Sequence, residues 1–191
     1  MANTCITTYK ITGIYKNNAA YNDLKTYLDN NLSGLWLGDL AKHYNVDFAS
    51  LGISARGNVC YYEEDNGVIT LTVESAWFPN KRLFEEINKR VGNQLSISYR
   101  AEEPGNDIFC IHDEGCFFPE RYLVDAIDCE DVLGDIESFY CENISSVIDL
   151  WCKAIGYERG EEDDDKMIDI INDWEYDNDD VFFQIRKFVV E

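Results

Sequence analysis

Two acidic runs near the end of the chain hold the densest concentration of reactive side chains. Glu161, Glu162, Asp163, Asp164 and Asp165 stand in a row, and Asp173, Glu175, Asp177, Asp179 and Asp180 follow about a helix-length later. Carboxylates this dense suit three tasks: holding a hard cation, capping a helix, or facing a basic macromolecule. The spacing Asp173-x-Glu175-x-Asp177 echoes the start of a calcium loop, but Asn178 stands where that loop needs glycine and Gln184 where it needs a bidentate glutamate. A dedicated calcium site is therefore not expected. Acids just before Met167 lie at a helix N-terminus, where each contributes roughly 0.3–1 kcal/mol against the helix dipole. One or two carboxylates meet that need. Ten exceed it.

Other chemistry finds less support. Cys110-x-His112-x3-Cys116 offers three ligands across a turn, but structural zinc usually takes four, commonly as two close pairs, and no second pair exists. A nucleophilic cysteine there would need nearby positive charge, whereas Asp107, Asp113 and Glu114 surround it and raise a thiol pKa. His43 and His112 are the only histidines, and the chain has no G-x-S-x-G elbow, dinucleotide fingerprint or Walker loop. No cofactor is implied, and the expectation is a protein without enzymatic activity.

The charge is unevenly placed. Of a net −21, residues 1–101 contribute nothing, with ten acids and ten bases, while residues 102–191 carry 27 acids against six bases. Direct nucleic-acid binding is disfavoured, because phosphate contacts need Lys and Arg. On the one basic stretch, Lys81, Arg82, Lys89 and Arg90 are offset by Glu85 and Glu86. The seven cysteines are odd in number, spread out and without a CxxC pair, and the N-terminus lacks a signal-peptide pattern. Reduced thiols, a cytosolic location and no membrane partner are expected.

The elements that must position these residues read as one α+β chain. Cys5–Ile11 is β-branched and aromatic and ends at Gly13, a strand signature. Tyr21, Leu24, Leu28 and Leu32 recur at helical spacing. Residues 35–55 form an insertion with a short helical stretch around Leu37, Leu40, Ala41 and Tyr44. Val59–Glu63, Asp65-Asn66-Gly67 and Val68–Glu74 read as a hairpin, because Asn-Gly supplies the positive φ angles of a tight turn. Leu83, Phe84, Ile87 and Val91 make a second helical stripe that stops at Gly92, and Leu95, Ile97 and Tyr99 alternate as a fourth strand.

Strand, helix, strand, strand, helix, strand is the split βαβ, or ferredoxin-like, order. Beyond it, Ile108–His112 and Phe117–Val124 read as two strands that extend the sheet. In the acidic remainder, Asn143 starts a helix through Val147, Ile148 and Trp151. Met167, Ile170, Ile171 and Trp174 make another stripe, and Val181–Val190 reads as a last strand. The expected division is a ferredoxin-like βαββαβ domain with its sheet extension over residues 1–125, and an acidic helical extension ending in a strand over 126–191.

Met1-Ala-Asn-Thr-Cys5 with Tyr9-Lys-Ile-Thr-Gly13, Trp77-x-Pro79 and Glu103-Pro104-Gly105 resembles a bacterial family with a ferredoxin-like domain, carried on plasmids, phages and other mobile elements. Phe117–Tyr122 fits the same pattern. The likeness spans residues 1–124 and implies the topology and a mobile-element origin. It implies no activity, and the acidic tail departs from it.

Together these readings lead to an acidic interaction protein. Its carboxylates at 161–165 and 173–180 would occupy a basic protein surface, displacing DNA from a host nuclease of restriction or CRISPR type. DNA offers one charge per about 1.7 Å of duplex axis for such a face to imitate. The alternative is a small-molecule or peptide module using the sheet, with Trp77, Tyr99 and Arg100 as contacts. An enzyme of unrecognised type is a third class.

Overall fold

The computed structural model describes residues 3–31, 34–127, 138–178 and 181–191. It is a mixed α+β structure of two sheets and, among the described residues, five α-helices. Contacts divide the chain at Phe118/Pro119, with Val189–Glu191 returning to the first unit.

The first unit is built on six strands in the order β2-β3-β1-β4-β5-β9. They are β1 (Thr4–Gly13), β2 (Gly57–Asp65), β3 (Val68–Ala76), β4 (Leu95–Glu103), β5 (Ile108–His112) and β9 (Val189–Val190). All neighbours are antiparallel except β5 and β9. Period-two alternation sends Tyr9 and Ile11, Ile69, Leu71 and Val73, and Leu95, Tyr99 and Ala101 into one core. Helices α1 (Ala19–Asn31) and α3 (Lys81–Arg90) bury Leu24 and Leu28, and Leu83, Phe84 and Ile87, in that core. The opposite strand faces carry Thr8, Lys10, Thr70 and Thr72, which bond across strands through Lys10 Nζ–Thr70 Oγ1 at 2.9 Å and the Thr8–Thr72 hydroxyls at 3.5 Å.

The hairpin forms for the reason its sequence suggests. Asn66 and Gly67 take φ of 51° and 82°, the paired positive angles of a type I′ turn. A bulge at Cys60 shifts the register of β2, so Tyr62 pairs with Leu71. The 35–55 insertion holds α2 (Leu37–His43) and is part of the core, burying Leu37, Leu40, Ala41, Val46 and Ile53.

Two strand expectations need correction. Phe117–Val124 does not extend the first sheet. The Asp113 carboxylate accepts the Phe117 and Phe118 N–H groups at 2.9 Å, and Pro119 has none to give, so this stretch lacks the donors for a ladder. The strand begins only at Tyr122. Likewise Val181–Val190 is two strands. β8 (Phe182–Lys187) ends where the Phe188 N–H turns to the Arg121 carbonyl at 2.9 Å, and β9 then pairs with β5.

In the second unit, β6 (Tyr122–Ile127) is the central strand of three, flanked by β7 (Phe139–Cys141) and β8. Helices α4 (Ser145–Ile155) and α5 (Asp164–Asn172) pack on it, joining Val147, Ile148, Trp151, Met167 and Ile171 to Val124, Phe183 and Ile185. Trp151 is fully buried, with its indole N–H donating to the Tyr176 hydroxyl at 2.8 Å and its ring edge-to-face with Trp174 at 5.2 Å. Asn143 Oδ1 accepts the Ser145 N–H at 2.9 Å at the start of α4, and Gly156 ends it with a φ of 75°.

Candidate functional site

The carboxylates at 161–165 gather at the N-terminal end of α5, and most of them are engaged within their own unit. Asp163 is the N-cap, accepting the Lys166 N–H at 2.9 Å. Asp164 accepts the Ser145 hydroxyl at 2.6 Å and an Arg159 N–H at 2.8 Å, tying α5 to the start of α4. Those two partners, Ser145 first, hold its carboxyl below the usual aspartate range. Asp165 meets Lys187 of β8 at 2.5 Å. Glu162 accepts the Gly160 N–H at 2.7 Å and lies 4.0 Å from Lys166. Glu161 is exposed.

The other end of α5 differs. Asp169, Asp173, Glu175 and Asp177 are exposed and make no ion pair or side-chain hydrogen bond among the described residues. Asp169 lies in the last turn and Asp173 is the C-cap, and no base stands in that turn. Anions here face the negative pole of the helix dipole, at about 0.3–1 kcal/mol each. Asp165, Asp169 and Asp173 also repeat at four-residue spacing, a like-charge stripe costing about 0.2–0.5 kcal/mol per pair. Between the exposed acids, Trp174 and Tyr176 turn inward against the core. Asp179 and Asp180 lie outside the described residues.

Among the described residues no three His, Cys, Asp or Glu side chains gather as a metal-holding group. Cys110 is buried and its thiol is pushed up to about 11, by burial first and then by the Glu191 carboxylate, against the opposing pull of Lys81. The acids named from sequence for that effect, Asp107, Asp113 and Glu114, are not its causes. Cys116 is exposed, in a left-handed turn.

The three contacts expected for a sheet-face module do not share a face. Tyr99 points into the helix-covered core, while its neighbour Arg100 points the other way, over the Phe118 ring at 5.4 Å. Trp77 lies past the end of β3 with a φ of 72°, an uncommon angle for a large side chain, and is 41% exposed.

Three of the segments that carry the family resemblance, around Asn3–Cys5, Trp77 and Glu103–Gly105, meet at one end of the first sheet, while Tyr9–Gly13 runs to its other end. Thr4 pairs with Ala76 and Ile6 with Glu102, and the Asn3 carbonyl accepts the Trp77 N–H at 3.0 Å. Glu103 is buried there. One oxygen accepts the Gly105 N–H at 3.1 Å, and the other has no hydrogen-bond partner among the described residues. Sequence reasoning assigned these residues no chemistry and missed their convergence, because strand register brings them together.

It also missed a device used in both units. Near the C-terminal end of α3, Asn88 donates to the Leu95 carbonyl and accepts its N–H, at 2.9 and 3.0 Å. Asn172 at the end of α5 does the same to Ile185, at 2.9 and 2.8 Å. Each amide clamps a helix end to a strand.

Among the described residues, no helix is long and apolar enough to cross a membrane. No family model matches the chain, and no curated protein is similar to it in sequence.

Proposed function

We propose that this chain is a non-enzymatic interaction protein whose acidic second unit occupies the basic surface of a nucleic-acid-binding protein. The observation that carries this reading is the set of unpaired carboxylates at the C-terminal end of α5. Asp169 and Asp173 work against the stability of their own helix, and with Glu175 and Asp177 just beyond it they hold no partner within the described residues. A cost retained without a structural return suits a surface that is completed by another molecule.

The magnitudes limit how far mimicry of DNA extends. The stripe on α5 places one charge per about 6 Å of helix axis, at 1.5 Å rise per residue. Duplex DNA places one per about 1.7 Å. The stripe alone is several-fold too sparse, and most of the 161–165 carboxylates are already engaged, so the unpaired set imitates a few phosphates and not a full duplex face. A nuclease of restriction or CRISPR type is the proposed target, supported by the resemblance to a mobile-element-borne family. The ferredoxin-like reading of the first unit belongs with that resemblance, and the antiparallel order β2-β3-β1-β4 with two covering helices favours it.

The test is competition. A labelled duplex is bound to each of a panel of restriction and CRISPR nucleases, and the purified protein is titrated in. Release of duplex from at least one nuclease at low salt, weakening steeply as salt rises, is the expected result. Release from none of them, or release indifferent to salt, overturns the reading.

A further inference from the structure

The first unit holds a cleft of about 330 Å³ that neither the charge nor the motifs of the sequence announced. It lies between α3 and strands β4 and β5, and its volume is at the low end of the range for small-molecule pockets, about 300–1,000 Å³. Its apolar side is aromatic. Tyr9 and Phe84 stack at 4.0 Å between ring centres, Tyr99 lies 5.9 Å from Tyr9, and the His112 ring stacks on Tyr99 at 5.7 Å.

The polar side divides into groups that satisfy one another and groups that do not. Glu191 accepts the Tyr99 hydroxyl and pairs with Lys81 at 3.0 Å, so the one lysine of the cleft is neutralised by one carboxylate. Glu114 accepts the Ser96 hydroxyl at 2.7 Å and leaves its other oxygen 3.5 Å from His112 Nε2. Glu85 is exposed on the rim with no partner among the described residues. Beyond the Lys81–Glu191 pair the cleft thus holds two more carboxylates beside aromatic faces, Glu85 open and Glu114 partly engaged by Ser96 and His112.

One more group is left over. The Tyr9 hydroxyl is fully buried and makes no hydrogen bond, although Thr7 is near enough to influence it. A buried hydroxyl without a partner is costly, and buried polar groups in folded proteins are seldom left so. Tyr9 lines the cleft.

We propose that this cleft binds a small aromatic amine. The ring would lie among Phe84, Tyr99 and Tyr9, and the ammonium would face Glu85 and Glu114, combining charge pairing with the attraction of a cation for aromatic faces. A hydroxyl at the far end of the ring would give Tyr9 its missing partner. Carboxylates on the rim exclude anions of the same shape. The site lies wholly in the first unit and does not depend on the acidic face of the second.

Tyramine, phenethylamine and 4-hydroxyphenylacetate separate these elements. Titration of the full chain, followed by calorimetry and by amide and aromatic resonances, should show saturable tyramine binding at or below about 1 mM. Phenethylamine should bind about ten-fold more weakly, one hydrogen bond fewer, and 4-hydroxyphenylacetate not measurably. Tyr9→Phe removes only the orphaned hydroxyl. It should lower tyramine affinity to that of phenethylamine and leave phenethylamine unchanged. Glu85→Gln, on the exposed rim, should weaken both amines several-fold. Absence of saturable tyramine binding, equal binding of the carboxylate analogue, or a Tyr9→Phe variant that binds tyramine as well as wild type would each overturn the proposal.

Discussion

The two units use charge in opposite ways. The first unit carries 16 acids against ten bases, all six of the excess acids after residue 101, around a six-stranded sheet and two covering helices. Pro119–Phe188 carries 21 acids against six bases around a smaller three-stranded sheet. In the first unit, polar side chains decorate a core that alternation already specifies. In the second, some carboxylates are structural parts, with Asp163 capping α5, Asp164 joining Arg159 and Ser145, and Asp165 reaching Lys187. Acidity alone therefore does not identify a binding surface. What separates a structural carboxylate from an available one is its partner, and α5 carries one kind at each end.

Several substitutions break or sharpen this comparison. The largest effect is expected from Trp151→Ala, which empties the centre of the second core and should cost about 3–5 kcal/mol. Urea unfolding followed by hydrogen exchange should show protection lost in β6, β8, α4 and α5 while β1, β3 and β4 keep theirs. Loss spread evenly over both units would mean they do not unfold separately. Next come the two amide clamps. Asn88→Ala and Asn172→Ala each strand a backbone N–H and a carbonyl, and each should cost about 1–3 kcal/mol, the first in one unit and the second in the other.

Asp163→Ala removes a helix cap and should cost about 0.5–2 kcal/mol of the second unit's stability by denaturant titration. Acid should act in the same direction. The Asp164 carboxyl is held below its ordinary value near 3.8, so its contribution is complete above that pH and lost as pH falls through the lowered folded value. Asp164→Asn should remove that part of the acid sensitivity and lower stability at neutral pH. The smallest effect has the opposite sign. Asp173→Asn relieves an anion at the wrong end of α5 and should raise stability by about 0.3–1 kcal/mol.

Much of the first unit was legible because its signals are local. Asn66-Gly67 specifies its own turn, and Leu83, Phe84 and Ile87 mark a buried stripe without reference to anything distant. The second sheet was not legible, since alternation in Tyr122–Ile127 says which face is buried but not that the partner is β8, about sixty residues on. The run 117–121 misled for a related reason. Its apolar residues suit a strand, but the Asp113 carboxylate takes the donors a strand would need. The acidic runs were plain as charge. Which end of α5 is engaged depended on Ser145, Arg159 and Lys187, and the aromatic cleft depended on Glu191 meeting Lys81 and Tyr99 from far along the chain.

The decisive measurement neutralises the unpaired set together, as Asp169→Asn, Asp173→Asn, Glu175→Gln and Asp177→Asn, and compares it with wild type in thermal unfolding and in displacement of duplex from a responsive nuclease. Unchanged or raised Tm with displacement lost is the predicted outcome. Displacement retained at full strength, in a variant that folds as wild type does, would contradict the assignment of those carboxylates to a partner.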